Sequence, residues 1–152
     1  MDKRIGILHL SDIHACQKNI PIIQRLVALL KDDLSAIQKQ YSTEIKLVVV
    51  SGDLINSGDT ADEEIEIAFD MLLQPLMETL HIDEQNVFVV AGNHEVKRSS
   101  IVTYIETGLA STLMSEDKID EFINNIDNES IKRIKYFDQD FASLFGGKLV
   151  FQ

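Results

Sequence analysis

Three short runs of almost wholly apolar, β-prone residues constrain this chain more than any other feature. They are Arg4-Ile-Gly-Ile-Leu-His-Leu10, residues 45–50 (Ile-Lys-Leu-Val-Val-Val) and residues 87–90 (Val-Phe-Val-Val). A strand wetted on one face alternates apolar and polar residues, whereas these runs read as strands of a parallel or mixed central sheet buried on both faces. Two stretches of helical period separate them. In Ile20–Tyr41, Pro21 suits the first turn, and Ile22, Leu26, Leu29, Leu30, Leu34 and Ile37 recur at helical spacing. In Thr60–Leu80, Thr60-Ala-Asp-Glu63 reads as a capping box and Ile65, Ala68, Phe69, Leu72 and Leu73 form an apolar stripe. Pro75 is expected to kink or end this helix near Gln74. Strand, helix, strand, helix, strand predicts βαβ units with right-handed crossovers and a sheet covered on both faces. In such sheets chemistry gathers beyond the carboxyl ends of the strands.

The last third reads differently. Ser115–Asn124 predicts a short capped helix, and Glu129–Phe145 a longer one whose stop is Gly146-Gly147. Lys148–Phe151 could begin another strand. With 152 residues, no repeat and no linker-like stretch, one domain is expected. The 25 acidic against 14 basic residues give a net charge of −11, which repels phosphate backbones and weighs against long nucleic acid as a partner. The lone Cys16 forms no internal disulfide, and no signal peptide or membrane-length apolar run is visible. The expectation is a soluble, cytoplasmic protein.

Each apolar run is followed by a polar cluster: Asp12-Ile13-His14, then Gly52-Asp53 with Asn56 and Gly58, then Gly92-Asn93-His94-Glu95. Alone, each reads as a turn, a cap or a solvated loop. Together, at three adjoining strand ends, they bring two Asp, two His and an Asn into one crevice. Clustered carboxylates coexist only with protons or cations. A mixed oxygen and nitrogen set without thiolate suits Mn, Fe, Zn or Co better than Ca. Among the remaining candidates, His9 is expected to be buried and hydrogen-bonded, His81 to sit at a helix end, Cys16 to be an inert thiol, and Lys97-Arg98 to be solvated.

These motifs, with the wider contexts Leu8–His14 and Val49–Asp53, resemble the calcineurin-like metallophosphoesterases over roughly the first hundred residues. The resemblance implies an α/β fold, the first half of a metallophosphoesterase αββα sandwich, with a mixed sheet flanked by helices. It implies two divalent or trivalent metal ions. Asp12 and His14 would ligate the first, Asp53 would bridge both and Asn93 would ligate the second. A hydroxide bridging the metals would attack a phosphate mono- or diester. His94 would stay off the metals and protonate the leaving oxygen or steady developing charge. Glu95 would orient His94.

The family pattern continues with a further His and a Gly-His-x-His segment, yet no histidine follows His94. The expectation is therefore one phosphoesterase domain over 1–152, motif-bearing over 1–98, with a helical extension over 99–147 and C-terminally truncated. Three readings stay open. The chain is a piece of a longer enzyme, or a second polypeptide or copy completes the site, or it is a binding or regulatory module that keeps the scaffold without turnover. The first is preferred, because Val150-Phe151-Gln152 falls in a strand-like run.

Overall fold

The computed structural model describes residues 4–100 and 103–124. Strand β1 spans Arg4–Leu10, helix α1 Ile20–Tyr41 and β2 Thr43–Ser51. Helix α2 covers Ala61–Ala68, a π-helical turn Phe69–Leu73, α3 Gln74–Leu80 and β3 Val87–Val90. Helices α4, Thr103–Thr112, and α5, Glu116–Asn124, follow. The helix foreseen at 115–124 is thus present, whereas the helix at 129–145 and the strand at 148–151 lie outside the described residues.

The strands pair in parallel in the order β1-β2-β3, so all three carboxyl ends share one edge of the sheet. An antiparallel strand, which a mixed sheet needs, is not among the described residues. One side of the sheet is covered. Leu8 and Leu10 of β1, Val48 and Val50 of β2, and Val87 and Val89 of β3 meet Ile23, Val27 and Leu34 of α1 and Ile65, Leu72, Leu73 and Leu76 of the second crossover. Helix α1 packs on β2, the π-helical turn and α3, which places both crossovers over that side. The opposite parity stays open: Ile5 and Ile7 are 71% and 60% exposed, and Phe88 and Val90 are 50% and 57% exposed. The cover expected on both faces is therefore found on one face of the described residues.

Two local expectations change. The buried stripe of α1 is Ile23, Val27 and Leu34, with Ile20 and Leu30 partly buried, a 3-4-3-4 spacing. Ile22, Leu29 and Ile37, read from the sequence as part of the core face, are exposed. Pro75 neither ends nor breaks its helix. The hydrogen-bond ladder widens just before it, with Gln74 N–H donating to Phe69 C=O, and α3 then carries Pro75 in its first turn. A wider turn ahead of proline accommodates both the missing N–H and the ring that would crowd the carbonyl four residues back.

The expected capping box also moves. A 3-10 turn, Gly58–Thr60, precedes α2, and Thr60 makes no side-chain cap bond. Ser57 caps that turn instead, accepting from Asp59 N–H, and Glu64 reaches back to the N–H groups of Asn56 and Ser57.

Candidate metal centre

Beyond the strand ends, the first two loops continue side by side as an irregular ladder. Asp12 N–H donates to Gly52 C=O (3.3 Å), His14 N–H to Asp53 C=O (2.9 Å) and Ala15 N–H to Leu54 C=O (2.8 Å). Ala15, Leu54 and Ile55 are fully buried and pin this ladder to the core. Asp12, His14 and Asp53 all hold left-handed backbones, with φ of 57°, 51° and 53°. That region costs a non-glycine residue on the order of 1–2 kcal/mol. Surrounding hydrogen bonds hold all three, and the bends turn their side chains out of the strand alternation.

The third loop is held to the second by a buried carboxylate. Glu95 is completely inaccessible to solvent. Its Oε2 accepts from Asp53 N–H (3.0 Å) and Gly92 N–H (2.5 Å), and its Oε1 accepts from Ile55 N–H (3.0 Å). A buried anion is tolerable only when so compensated. Close backbone approach needs glycine here. A Cβ on Gly92 would lie 2.4 Å from Asp53 Oδ1, and Gly52, at φ 93°, has the Gly92 Cα 3.0 Å from where its own Cβ would be. Asp53 Oδ1 in turn accepts from His94 N–H at 3.0 Å.

His14, Asp53 and His94 each present a ligand atom, all within 4.8 Å of one another. The imidazoles of His14 and His94 meet edge to face, with centroids 4.5 Å apart. His14 Nδ1 is buried without a hydrogen-bond partner. Two imidazoles and a carboxylate brought this close, one imidazole with a buried nitrogen that no protein group satisfies, fit a cation: neutral nitrogen and anionic oxygen donors supply attraction that neither gives the other. Asp12 stands outside this trio, with its carboxylate taking the Ser11 hydroxyl. Asn93 is exposed on the third loop. The sequence expectation kept His94 off the metals, whereas its position beside His14 and Asp53 lets it face the same ion.

The remaining histidines and the basic pair also find places. His94 Nδ1 lies 2.6 Å from Asn56 C=O, and Gly58 N–H donates to His94 C=O at 2.8 Å. His94 is thus oriented by the second loop, and the Glu95 oxygens serve backbone groups rather than its ring. His9 is exposed, not buried, and pairs with Ser51 Oγ at 2.7 Å. His81 closes α3 in a left-handed cap. A recess of about 100 Å³ beside His94 is lined by Asn56, Ser57, Gly58, Val96 and Arg98. Asp59 accepts from Ser99 N–H at 3.0 Å, and the Ser99 hydrogen bonds, aided by Lys97 and Arg98, hold its carboxyl below the ordinary value. A roomier recess of about 600 Å³ flanks the end of α3 between Gln74 and Gln85. It contains no strand-end residue, so volume is the weaker guide here and donor chemistry the stronger one. Sequence reading missed Glu64, which is 7% exposed and accepts from Asn56 N–H (2.9 Å) and Ser57 N–H (2.7 Å). Its only sequence signal was an acidic residue among others in a helical first turn.

The sequence profile of the calcineurin-like phosphoesterases matches residues 5–150. An uncharacterized metallophosphoesterase-like protein of Bacillus subtilis is 26% identical over 144 residues, covering 93% of this chain and 28% of that protein. A DNA double-strand break repair protein, Mre11, of Methanosarcina mazei is 28% identical over 142 residues, covering 91% of this chain and 22% of that protein. The chain therefore spans about a quarter of the length of these relatives. No solved structure matches it significantly.

Proposed function

Because the chain belongs to the calcineurin-like phosphoesterase family, we propose that its strand-end crevice is the metal centre of a phosphoesterase acting on phosphate mono- or diesters. The observation that supports this most is the convergence of His14, Asp53 and His94, with His14 Nδ1 buried and without a hydrogen-bond partner. Asp12 and His14 would hold one cation, Asn93 would serve a second, and Asp53 would serve both. Such cations, Mn, Fe, Zn or Co, would supply charge neutralisation at the phosphate and a nucleophilic water near neutral pH. The protein's own part is positioning. The ladder between the first two loops fixes the Asp12, His14 and Asp53 backbones, and Glu95 fixes the third loop against them. His94 Nδ1–H is held by Asn56 C=O, which leaves Nε2 to take up a proton and, from the resulting imidazolium, to pass it to the leaving oxygen.

Hydrolysis of p-nitrophenyl phosphate and bis(p-nitrophenyl) phosphate with added Mn2+ tests this reading. The expected result is metal-dependent turnover that falls by roughly 100-fold or more in Asp53→Asn. His94→Asn should keep its metal and lose turnover; loss of the metal as well places His94 among the ligands. Turnover that persists in Asp53→Asn contradicts the metal-centre reading. The place of Asp12 outside the His14, Asp53 and His94 trio favours a second reading. In it the scaffold binds metal and a phosphate ester without hydrolysis. Metal uptake by the wild-type chain with no turnover of either ester selects it.

A further inference from the structure

Glu64 lies on α2, away from every strand end, yet it is one of two buried acidic side chains among the described residues. Its Oε2 accepts from Ser57 N–H at 2.7 Å and from Asn56 N–H at 2.9 Å, the latter also shared with Ala15 C=O. Ser57 N–H and Asn56 C=O belong to the same peptide group. In a trans peptide they point in opposite directions. On the far side of that group, Asn56 C=O meets His94 Nδ1 at 2.6 Å. Carboxylate, peptide and imidazole thus stand in one line of hydrogen bonds. A carbonyl only accepts, so the proton on the neutral ring belongs at Nδ1 and Nε2 is left free. An anion at the N–H end polarises the peptide and strengthens its carbonyl as an acceptor.

We propose that Glu64 is a positioning residue for His94, fixing the tautomer of its ring through the single peptide group between Asn56 and Ser57. The chain Glu64–peptide–His94 does what a carboxylate in direct contact with the imidazole would do, at one peptide's remove. It also gives α2 a hold on the crevice that the strand-end motifs do not contain. The consequence for turnover rests on the phosphoesterase reading and on His94 as its acting histidine, whereas the tautomer itself rests on neither.

Long-range 1H–15N correlation spectra of the 15N-histidine-labelled full chain, with no metal added, read the neutral tautomer directly. The wild-type ring should carry its proton predominantly at Nδ1. Glu64→Ala removes the anion that polarises and aims Asn56 C=O, and should lower the ratio of the Nδ1–H to the Nε2–H form by up to roughly fivefold, the limit set by loss of the whole hydrogen bond. Glu64→Gln keeps an acceptor without the charge and should fall between. His9 and His14 resonances report that the fold is intact. A wild-type ring protonated mainly at Nε2, or an unchanged ratio in folded Glu64→Ala, overturns the proposal. If Glu64→Ala does not fold, Glu64→Gln decides: a lowered ratio supports the relay and an unchanged one overturns it. Where the wild-type chain hydrolyses an aryl phosphate, Glu64→Gln should lower kcat on the order of 10-fold with KM unchanged. Equal losses in both would mark a merely structural role. The spectra need no turnover, so failure of the phosphoesterase reading and failure of the relay appear in separate measurements.

Discussion

Glu95 satisfies three backbone N–H groups with two oxygens in a site that water does not reach. Removing it strands buried donors at about 1–3 kcal/mol each, not additively. Chemical denaturation of Glu95→Ala should therefore show a loss of about 3 kcal/mol or more, and an effect under about 0.5 kcal/mol would contradict the pinning role. Gly92 makes a sharper case. Its alanine variant would drive a methyl into Asp53, so Gly92→Ala should weaken metal uptake more than it lowers thermal stability. Asp59 offers a pH test. Its folded-state pKa is lowered, chiefly by the Ser99 hydrogen bonds, so the clamp between the Gly58–Thr60 turn and Ser99 is complete above the ordinary aspartate value. It is lost as pH falls through the lowered value. The Ser99 amide resonance should titrate below the ordinary aspartate range, and that titration should vanish in Asp59→Asn. At this scale the sequence marks candidate residues but not their backbones. No local pattern announced that Asp12, His14 and Asp53 would sit at positive φ, because long-range ladder bonds impose it.

Elements were far more legible than their orientations. Arg4–Leu10, Ile20–Tyr41 and Val87–Val90 emerge from period and composition with the bounds they have in the fold, and β2 extends only slightly beyond its apolar run. The buried face of α1 was misread because the helix carries two apolar stripes. Geometry of the second crossover, not hydrophobicity, selects Ile23, Val27 and Leu34 over Ile22 and Leu29. Ile23→Ala should accordingly cost about 2–4 kcal/mol in a denaturant titration, and Ile22→Ala less than about 0.5. Equal costs would restore the face read from the sequence. The π-helical turn was illegible for a related reason. Pro75 announces an interruption, but whether a helix stops or widens depends on the packing of Leu72, Leu73 and Leu76 against α1 and the sheet, which favours continuing. Glu64 escaped notice because the Gly58–Thr60 turn adds residues between the cap and α2, and a capping box is sought at fixed spacing.

At the scale of the whole molecule, topology turns three ordinary loops into one centre. Parallel pairing in the order β1-β2-β3 sends all strand ends to one edge, where two histidines and Asp53 converge. Among the described residues the sheet keeps one open face, where Ile5, Ile7, Phe88 and Val90 are exposed. No helix among the described residues is long and apolar enough to cross a membrane. Equilibrium dialysis of the chain against Mn2+, read as metal bound per molecule for wild type and Asp53→Asn, tests the central claim most directly. The account predicts saturable binding by the wild type that is lost or weakened by roughly 10-fold or more in Asp53→Asn. No saturable binding by the folded wild type, or equal binding by both, would contradict it.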